Sequence, residues 1–399
     1  MSPVLVAGAG PVGLTAALVL ARRGVAVTVL EKGAGLAAES RASTFHPPTL
    51  EMLDELGVVA ALLDRGLVAR TFQYRDRRTG RPVAELDLAV LADDTPYPYR
   101  VQCEQSKLTP ILLDALSRHP AADVRFGCPV REVAQDARSV TVVLGDGSRV
   151  RGDWLIGADG AHSAVRRALR AGFAGVTYPE RFLVASLDED LTAAMPDLAP
   201  IAYVLDPDEW LVLLRTPDHW RVLLPTPDGT PDAAESARLP ERLRGVCPDR
   251  VAPWRVAHAS LYRVHQRVAD GFRYGRVLLC GDAAHVNNPL GGMGMNSGIH
   301  DAVLMGGALA AVIAGEAGDA ELSRTAERRR RCALTYVGAE THRNWERLRA
   351  RDEATRAAVR EELRATAADP GRAREALLRS SMLASLRPPG EVDGGARAR

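Results

Sequence analysis

Cysteine is scarce and scattered in this 399-residue chain: Cys103, Cys128, Cys247, Cys280 and Cys332 form no CxxC pair and no metal-ligand spacing. A disulfide framework is unnecessary at this length, and no metal site is expected. Net charge is equally slight, 51 Lys and Arg against 50 Asp and Glu, which removes the bulk electrostatic case for nucleic acid or an anionic membrane as partner. A signal peptide is not expected either. The opening MSPVLVAGAGPVGLTAALVL is apolar but has no basic region before it, and Gly8, Gly10, Pro11 and Gly13 break it. It reads as strand, turn and helix, not as a signal peptide or a membrane span. No repeats stand out. The expectation is a cytoplasmic, thiol-reduced protein with no stable membrane insertion, a monomer or a homodimer.

What is present is an ordinary globular composition, 46% apolar and 25% charged, with 35 Gly and 25 Pro. That length and composition suit two or three domains. Val4 to Ala7 is a short apolar strand, Leu14 to Arg22 a helix stopped by Gly24, and Val25 to Leu30 a second strand closing at Glu31. This is a right-handed βαβ unit. Helices are expected at 47–56, 58–65 and 105–116, and strands at 123–126, 139–144 and 154–156. Between 70 and 98, and again from 178 to 262, short alternating segments punctuated by Pro and Asp read as strands, among them 182–186, 201–205, 211–215 and 220–224. An apolar strand at 276–280 precedes a glycine-rich turn and a helix to Ala314, and 321–379 is helical, its arginines interspersed with acids as on a solvated face.

Three motifs carry chemistry. In GAGPVG, Gly8 permits the tight turn, Gly10 lets the backbone approach a pyrophosphate and Gly13 lets the helix pack on the sheet. Pro11 and Val12 open a helix whose free N–H groups and positive dipole suit phosphates. Glu31, followed by Lys32, sits where a carboxylate can accept both hydroxyls of an adenosine ribose. The second motif is GRVLLCGDAAHVNNPLGGMGMNSGIHDA, residues 275–302. Asp282 can bond a polyol hydroxyl, and Pro289, Gly292, Gly294, Met295 and Asn296 form a loop and helix start with backbone N–H groups suited to negative charge. His285 in the same motif is expected to be structural, not a general base. The third is LIGADGAHSAVR, where Asp159-Gly160 follows a strand and precedes a helix carrying Arg166.

In order and spacing these motifs resemble the class A flavoprotein monooxygenases of the para-hydroxybenzoate hydroxylase type, over roughly Pro3 to Ala314. The resemblance implies an α/β fold: a Rossmann-like FAD-binding domain (1–70, 99–177, 263–315) interwoven with a mainly β substrate domain (71–98, 178–262). A C-terminal helical region (316–386) and a flexible tail (387–399) follow. It implies non-covalent FAD, with Asp282 on the ribityl chain and Asp159 and Arg166 linked to FAD and pyridine-nucleotide function. Arg41 in ESRAST and Gln105 in EQSKLTPILL match family positions beside the cofactor. NADPH or NADH is the transient reductant, and O2 then forms a flavin 4a-hydroperoxide that hydroxylates a small or medium aromatic or heteroaromatic ring. Epoxidation, Baeyer–Villiger oxygenation, halogenation and saturation are the alternatives within related flavoenzymes.

No acid or base is assigned. The substrate wall is expected from the middle strands, with Tyr203, Arg215, Trp220 and Tyr262 as candidates. An arginine in the apolar run LVLLRTP needs an acidic partner or a substrate anion if it is buried; at a strand end it can equally face water. Trp220 fits the core as well as a substrate shelf.

Overall fold

The computed structural model describes residues 2–38, 42–247 and 252–387. Val4–Ala7 is a strand buried on both faces, and Gly8 ends it at φ +103°. Helix Pro11–Arg22 follows at once. Pro11 stands in the first turn, where its missing N–H costs nothing, and the helix is buried nearly all round. Val27–Leu30 and Trp154–Gly157 pair in parallel on either side of Val4–Ala7. The winding therefore reverses there, opening a crevice at the carboxyl end of the first strand. Ala122–Arg125, Val277–Leu279 and Arg273–Tyr274 complete a six-stranded sheet.

The second layer is an eight-stranded sheet. Its order is His285–Val286, Val256–Ala269, Phe173–Leu187, Trp220–Pro227, Leu211–Arg215, Ile201–Leu205, Thr71–Asp76 and Pro82–Asp87. Because side chains alternate along each strand, its two faces build two separate cores. Phe72, Tyr74, Phe182, Val184, Tyr203, Val212 and Leu223 lie on one face, covered by Leu348, Leu363, Leu377 and Leu378 of the C-terminal helices. Leu183, Ala185, Ala202, Leu211, Leu213, Trp220 and Val222 lie on the other, against Leu239 and Leu243.

Those last two leucines belong to helix Asp232–Arg244, inside a stretch expected to be β. Pro240 within it broke the helical pattern, but the amphipathic face still docks, and buried Arg242 is held there by Glu235 and Glu209. The expected borders at 177/178 and 262/263 are crossed by the strands Phe173–Leu187 and Val256–Ala269, which pair along almost their whole length. Gly175 at φ +151°, with Gln266 and Arg267 backbone too close for any Cβ, and a register shift between Thr177 and Arg181 let this ribbon bend from one layer to the other. The helical stretch after Ala314 is divided into Asp319–Cys332, a π-helical turn Ala333–Val337, Gly338–Leu348, Glu353–Ala368 and Pro370–Ser380.

Among the described residues, Met293–Ala314 is the one helix long and apolar enough to cross a membrane; here it packs in the core against Pro11–Arg22. The contact is backbone-close. A Cβ on Gly298 would lie 2.7 Å from Val12 Cγ2 and 3.0 Å from Gly281 Cα. Gly298→Ala should therefore overpack the junction and destabilise by about 1–3 kcal/mol. Gly307 on the same helix has nothing within 4 Å of its Cβ position, so Gly307→Ala should stabilise by roughly 0.5–1 kcal/mol. Urea unfolding of both variants checks this; equal shifts would contradict it.

Candidate active site

The crevice at the end of Val4–Ala7 has the form of a dinucleotide cradle. Gly8 and Gly13 are fixed by contact: a Cβ on Gly8 would lie 2.5 Å from Ala158 O, and one on Gly13 would lie 2.0 Å from Gly8 O. Gly10 differs, since its Cβ position meets nothing within 4 Å. No side chain caps the helix that Gly10 begins, so its first amides are open to a phosphate. The Glu31 carboxylate is aimed by two amides, Ala9 N–H at 2.7 Å and Gly33 N–H at 2.8 Å, with lone pairs left for a ribose. Lys32 beside it is exposed, and Arg41 lies outside the described residues. Gln105 opens helix Gln105–Ser117, its N–H bonded to Ala42 O at 3.0 Å.

Across the crevice, Gly281–Ala283 is a single 3-10 turn with Asp282 exposed on it. Arg166 holds this turn from behind. Its guanidinium donates to Ala283 O at 2.9 Å and to Ala161 O at 2.7 Å and lies 3.8 Å over the Phe173 ring. Asp159 accepts the Ala164 and Val165 amides at 2.7 and 3.1 Å and ties down Ser163. Both groups shape the cradle and spend their main bonds on the protein itself. His285 is buried, bonded to Asp301 at 2.8 Å and stacked on Phe272, away from the crevice.

The Pro289–Gly292 loop forms the inner wall. Gly291 and Gly292 sit at φ +102° and +67°, and Gly292 N-caps the long helix. Asn296 is fully buried; its amide nitrogen donates to Thr44 O at 2.8 Å and Gly292 O at 2.7 Å, and its oxygen takes His46 N–H at 2.9 Å. A Cβ on Gly294 would lie 3.0 Å from Asn287 Oδ1, and Met295 is buried beside it. With no side chain on Gly10, Gly291 or Gly292, the backbone itself can approach a ligand in the crevice, although the Gly292 N–H is taken by Pro289 O at 3.0 Å. The residues present fit FAD.

A small cavity, about 30 Å³, opens between this loop and the eight-stranded sheet. Its walls are Pro289–Gly292 on one side and Ile201, Tyr203, Val212, Leu214 and Leu223 on the other, with Thr44 and Arg100 at the end. Those last two come from a small sheet in which Thr44–Phe45 and Leu67–Ala69 flank Arg100–Gln102. Burial pushes the Tyr203 hydroxyl up to about 12, against the opposing pull of Arg100, so it keeps its proton at neutral pH. A larger cavity, about 260 Å³, lies at the far edge of the sheet beside helix Glu353–Ala368. It touches no part of the cradle, and its Arg356 and Arg360 are already paired with Glu353.

Comparison with known proteins agrees with this geometry. The family model described as FAD binding domain matches residues 1–339. A para-nitrophenol 4-monooxygenase from Pseudomonas sp. (strain WBC-3) is 35% identical over 360 residues, 88% of this chain and 89% of the relative. A 6-hydroxy-3-succinoylpyridine 3-monooxygenase from Pseudomonas putida (strain DSM 28022 / S16) is 36% identical over 78% of this chain and 79% of its own. The crystal structure of a p-nitrophenol 4-monooxygenase from Pseudomonas putida DLL-E4 superposes with a TM-score of 0.92 at 34% identity, covering 97% of this chain and 99% of that one. This chain belongs to the class A FAD-dependent aromatic hydroxylases. It is an FAD-dependent monooxygenase that hydroxylates an aromatic or heteroaromatic ring.

Of the four expected wall residues, Tyr203 alone lines this cavity. Trp220 is buried on the opposite face of the sheet, its indole N–H bonded to Asp190 at 3.0 Å. Arg215 alternates with Leu214, so while Leu214 lines the cavity Arg215 points to the other side, 5.9 Å from the Trp220 ring. The reason is strand parity, which an apolar run buried on both faces does not reveal. Tyr203 lines the cavity; Tyr262 shares its face but stacks on Phe182, beyond the lining. Sequence reasoning missed Thr44, Arg100 and Leu214. The only signal for Arg100 was an arginine in the run YPYRVQC, at the head of a buried strand.

Two outcomes follow. Asp282→Ala should weaken FAD binding by about 1–3 kcal/mol, roughly 5- to 150-fold in Kd, with the fold retained; FAD titration of deflavinated protein reads this, and equal Kd values would refute it. Burial, reinforced by Arg100, holds His46 well below its ordinary value, and burial, reinforced by Arg329, holds His300 at about 3. Each therefore takes up a proton in the unfolded chain below pH 6.5 but not in the native one, so stability falls as pH drops through this range. Asp301, held at about 2, contributes stability that stays intact above pH 3.8 and is lost as pH falls toward 2. Between pH 7 and pH 5 each histidine should cost about 2 kcal/mol. Urea unfolding at both pH values, with His300→Gln showing a shallower loss, measures this; a flat profile would contradict it.

Proposed function

We propose that this hydroxylase acts on a single-ring phenol, bound through its oxyanion to Arg100, with NAD(P)H and O2 as co-substrates in the cytoplasm. One observation carries the reading. Arg100 is 2% exposed and lines the cavity, yet among the described residues no carboxylate pairs with it and its Nε has no hydrogen-bond partner. Its position is set by Ser380 O, 3.1 Å from Nη2, and by the Phe72 ring 4.4 Å away. A buried guanidinium without a counter-charge costs several kcal/mol, and an anionic substrate oxygen supplies that charge. The relatives named above, whose names specify a nitrophenol and a hydroxypyridine, agree with a small hydroxylated ring.

Bound FAD, once reduced by NAD(P)H, supplies the oxygen-activating chemistry. The chain does the rest. Val212, Leu214 and Leu223 press the ring from the sheet side and exclude water, while the Pro289–Gly292 loop sets its distance from the cofactor cradle. Arg100 stabilises the phenolate, which keeps the ring electron-rich at the carbons ortho and para to it. Tyr203, which holds its proton at Oη, can donate a hydrogen bond to the same oxygen.

NADH and NADPH oxidation with a panel of single-ring phenols, followed by product mass, tests the proposal: gain of one oxygen is expected, and stimulation only by uncharged or polycyclic compounds would refute it. Arg100→Met should weaken phenolate binding by about 2–5 kcal/mol, roughly 30- to 5,000-fold, with FAD content unchanged. Arg215→Met should bind and couple like the parent. Parent-like binding in the Arg100 variant would remove the assignment.

A further inference from the structure

We infer that Arg329, on helix Asp319–Cys332 downstream of the glycine-rich motif, is a positioning residue for FAD, fixing through Asp301 the turn that offers Asp282 to the cofactor. Asp301 lies two turns into the helix Met293–Ala314 and is fully buried. Its carboxylate joins three separate elements. Oδ1 accepts Arg329 Nε at 2.7 Å; Oδ2 accepts the Gly281 amide at 3.1 Å and lies 2.8 Å from His285 Nε2. Gly281 immediately precedes Asp282 and stands at φ +58°, so its amide direction sets how the turn is presented. Arg166 holds the same turn by its carbonyls. The amide is thus gripped by Asp301 and the carbonyls by Arg166, each a buried charge.

That charge is held in place by Arg329, which is 1% exposed. It also donates to Ser297, at 3.3 Å to the carbonyl and 3.1 Å to Oγ, one turn before Asp301 on the same helix, and to the Cys332 side chain. Burial alone drives a carboxyl toward its protonated form; Arg329 and His285 reverse this for Asp301. Without Arg329, Asp301 becomes a poorly compensated buried ion, which takes a proton or shifts. Either change weakens the acceptor for Gly281 N–H and loosens the turn. The C-terminal helical region is on this account part of the cofactor site. The inference rests on FAD binding and is independent of the substrate reading.

The test titrates FAD into deflavinated parent, Arg329→Met, Arg329→Lys and Asp301→Asn, following flavin fluorescence, with thermal midpoints of the apo and FAD-loaded forms. Arg329→Met and Asp301→Asn should raise the FAD Kd tenfold or more and shrink the midpoint gain that FAD confers. Arg329→Lys, which keeps the charge, should recover part of both. The double variant Asp301→Asn/Arg329→Met should bind FAD no more weakly than the worse single variant, because both act on one path. If Arg329→Met is insoluble, the double variant, which leaves no unpaired buried charge, takes its place in the titration. An FAD Kd within twofold of the parent in either, with apo and loaded midpoints falling equally, would overturn the inference and leave Arg329 a staple of the fold.

Discussion

Three backbone segments meet around the side chain of Val12, and the rest of the molecule is arranged about that junction. Val12 leaves the first turn of the phosphate-facing helix and fits between Gly281 and Gly298. A few ångströms away, Gly8, Gly13 and Ala158 close a second such contact. These approaches bring the βαβ unit, the Asp282 turn and the long helix Met293–Ala314 within reach of a single cofactor, although they lie up to 290 residues apart in the chain. Glycine is required there because a Cβ would hold the backbones apart. The same close packing explains why the long helix is a core helix despite its apolar length.

The second constraint is an electrostatic one at the other end of the crevice. Most buried arginines in this protein are satisfied internally: Arg329 by Asp301, Arg242 by Glu235 and Glu209, Arg75 by Asp197, Arg166 by a set of carbonyls. Arg100 departs from that pattern, held in direction by a helix-end carbonyl and an aromatic face but with no counter-charge among the described residues. Such an arrangement costs stability in the free protein and returns it when an anion binds. The C-terminal helices contribute to this site as well as to the cradle, since Ser380 ends the helix that aims Arg100.

Strand parity decides which side chains meet the ring. Strands Ile201–Leu205 and Leu211–Arg215, at the middle of the eight-stranded sheet, are buried on both faces, so each of their apolar residues looks equally suited to either core. Leu214 and Arg215, or Trp220 and Arg221, are neighbours in the chain and belong to opposite surfaces. The bend at Gly175 and the register shift that follows it orient the ribbon, and with it the whole face, toward the cofactor loop.

The cofactor half of this enzyme was legible in the amino-acid order because it is local. A strand, a glycine turn and a helix N-terminus form one contiguous phosphate site, and Glu31 follows at the end of the next strand; GDAAH and its glycine-rich loop are likewise continuous. The family resemblance, the α/β class, the interleaved β layer and the helical end all rested on such runs. Strand limits at 201–205 and 211–215 were legible from apolar runs bounded by Pro and Asp. The substrate half was decided by tertiary structure alone. Arg100, Thr44 and Leu214 come from three strands with no shared motif, and helix Asp232–Arg244 was hidden by its internal proline. Which face a strand presents depends on pairing register and on what covers each side, and these are set by contacts between residues far apart in the chain.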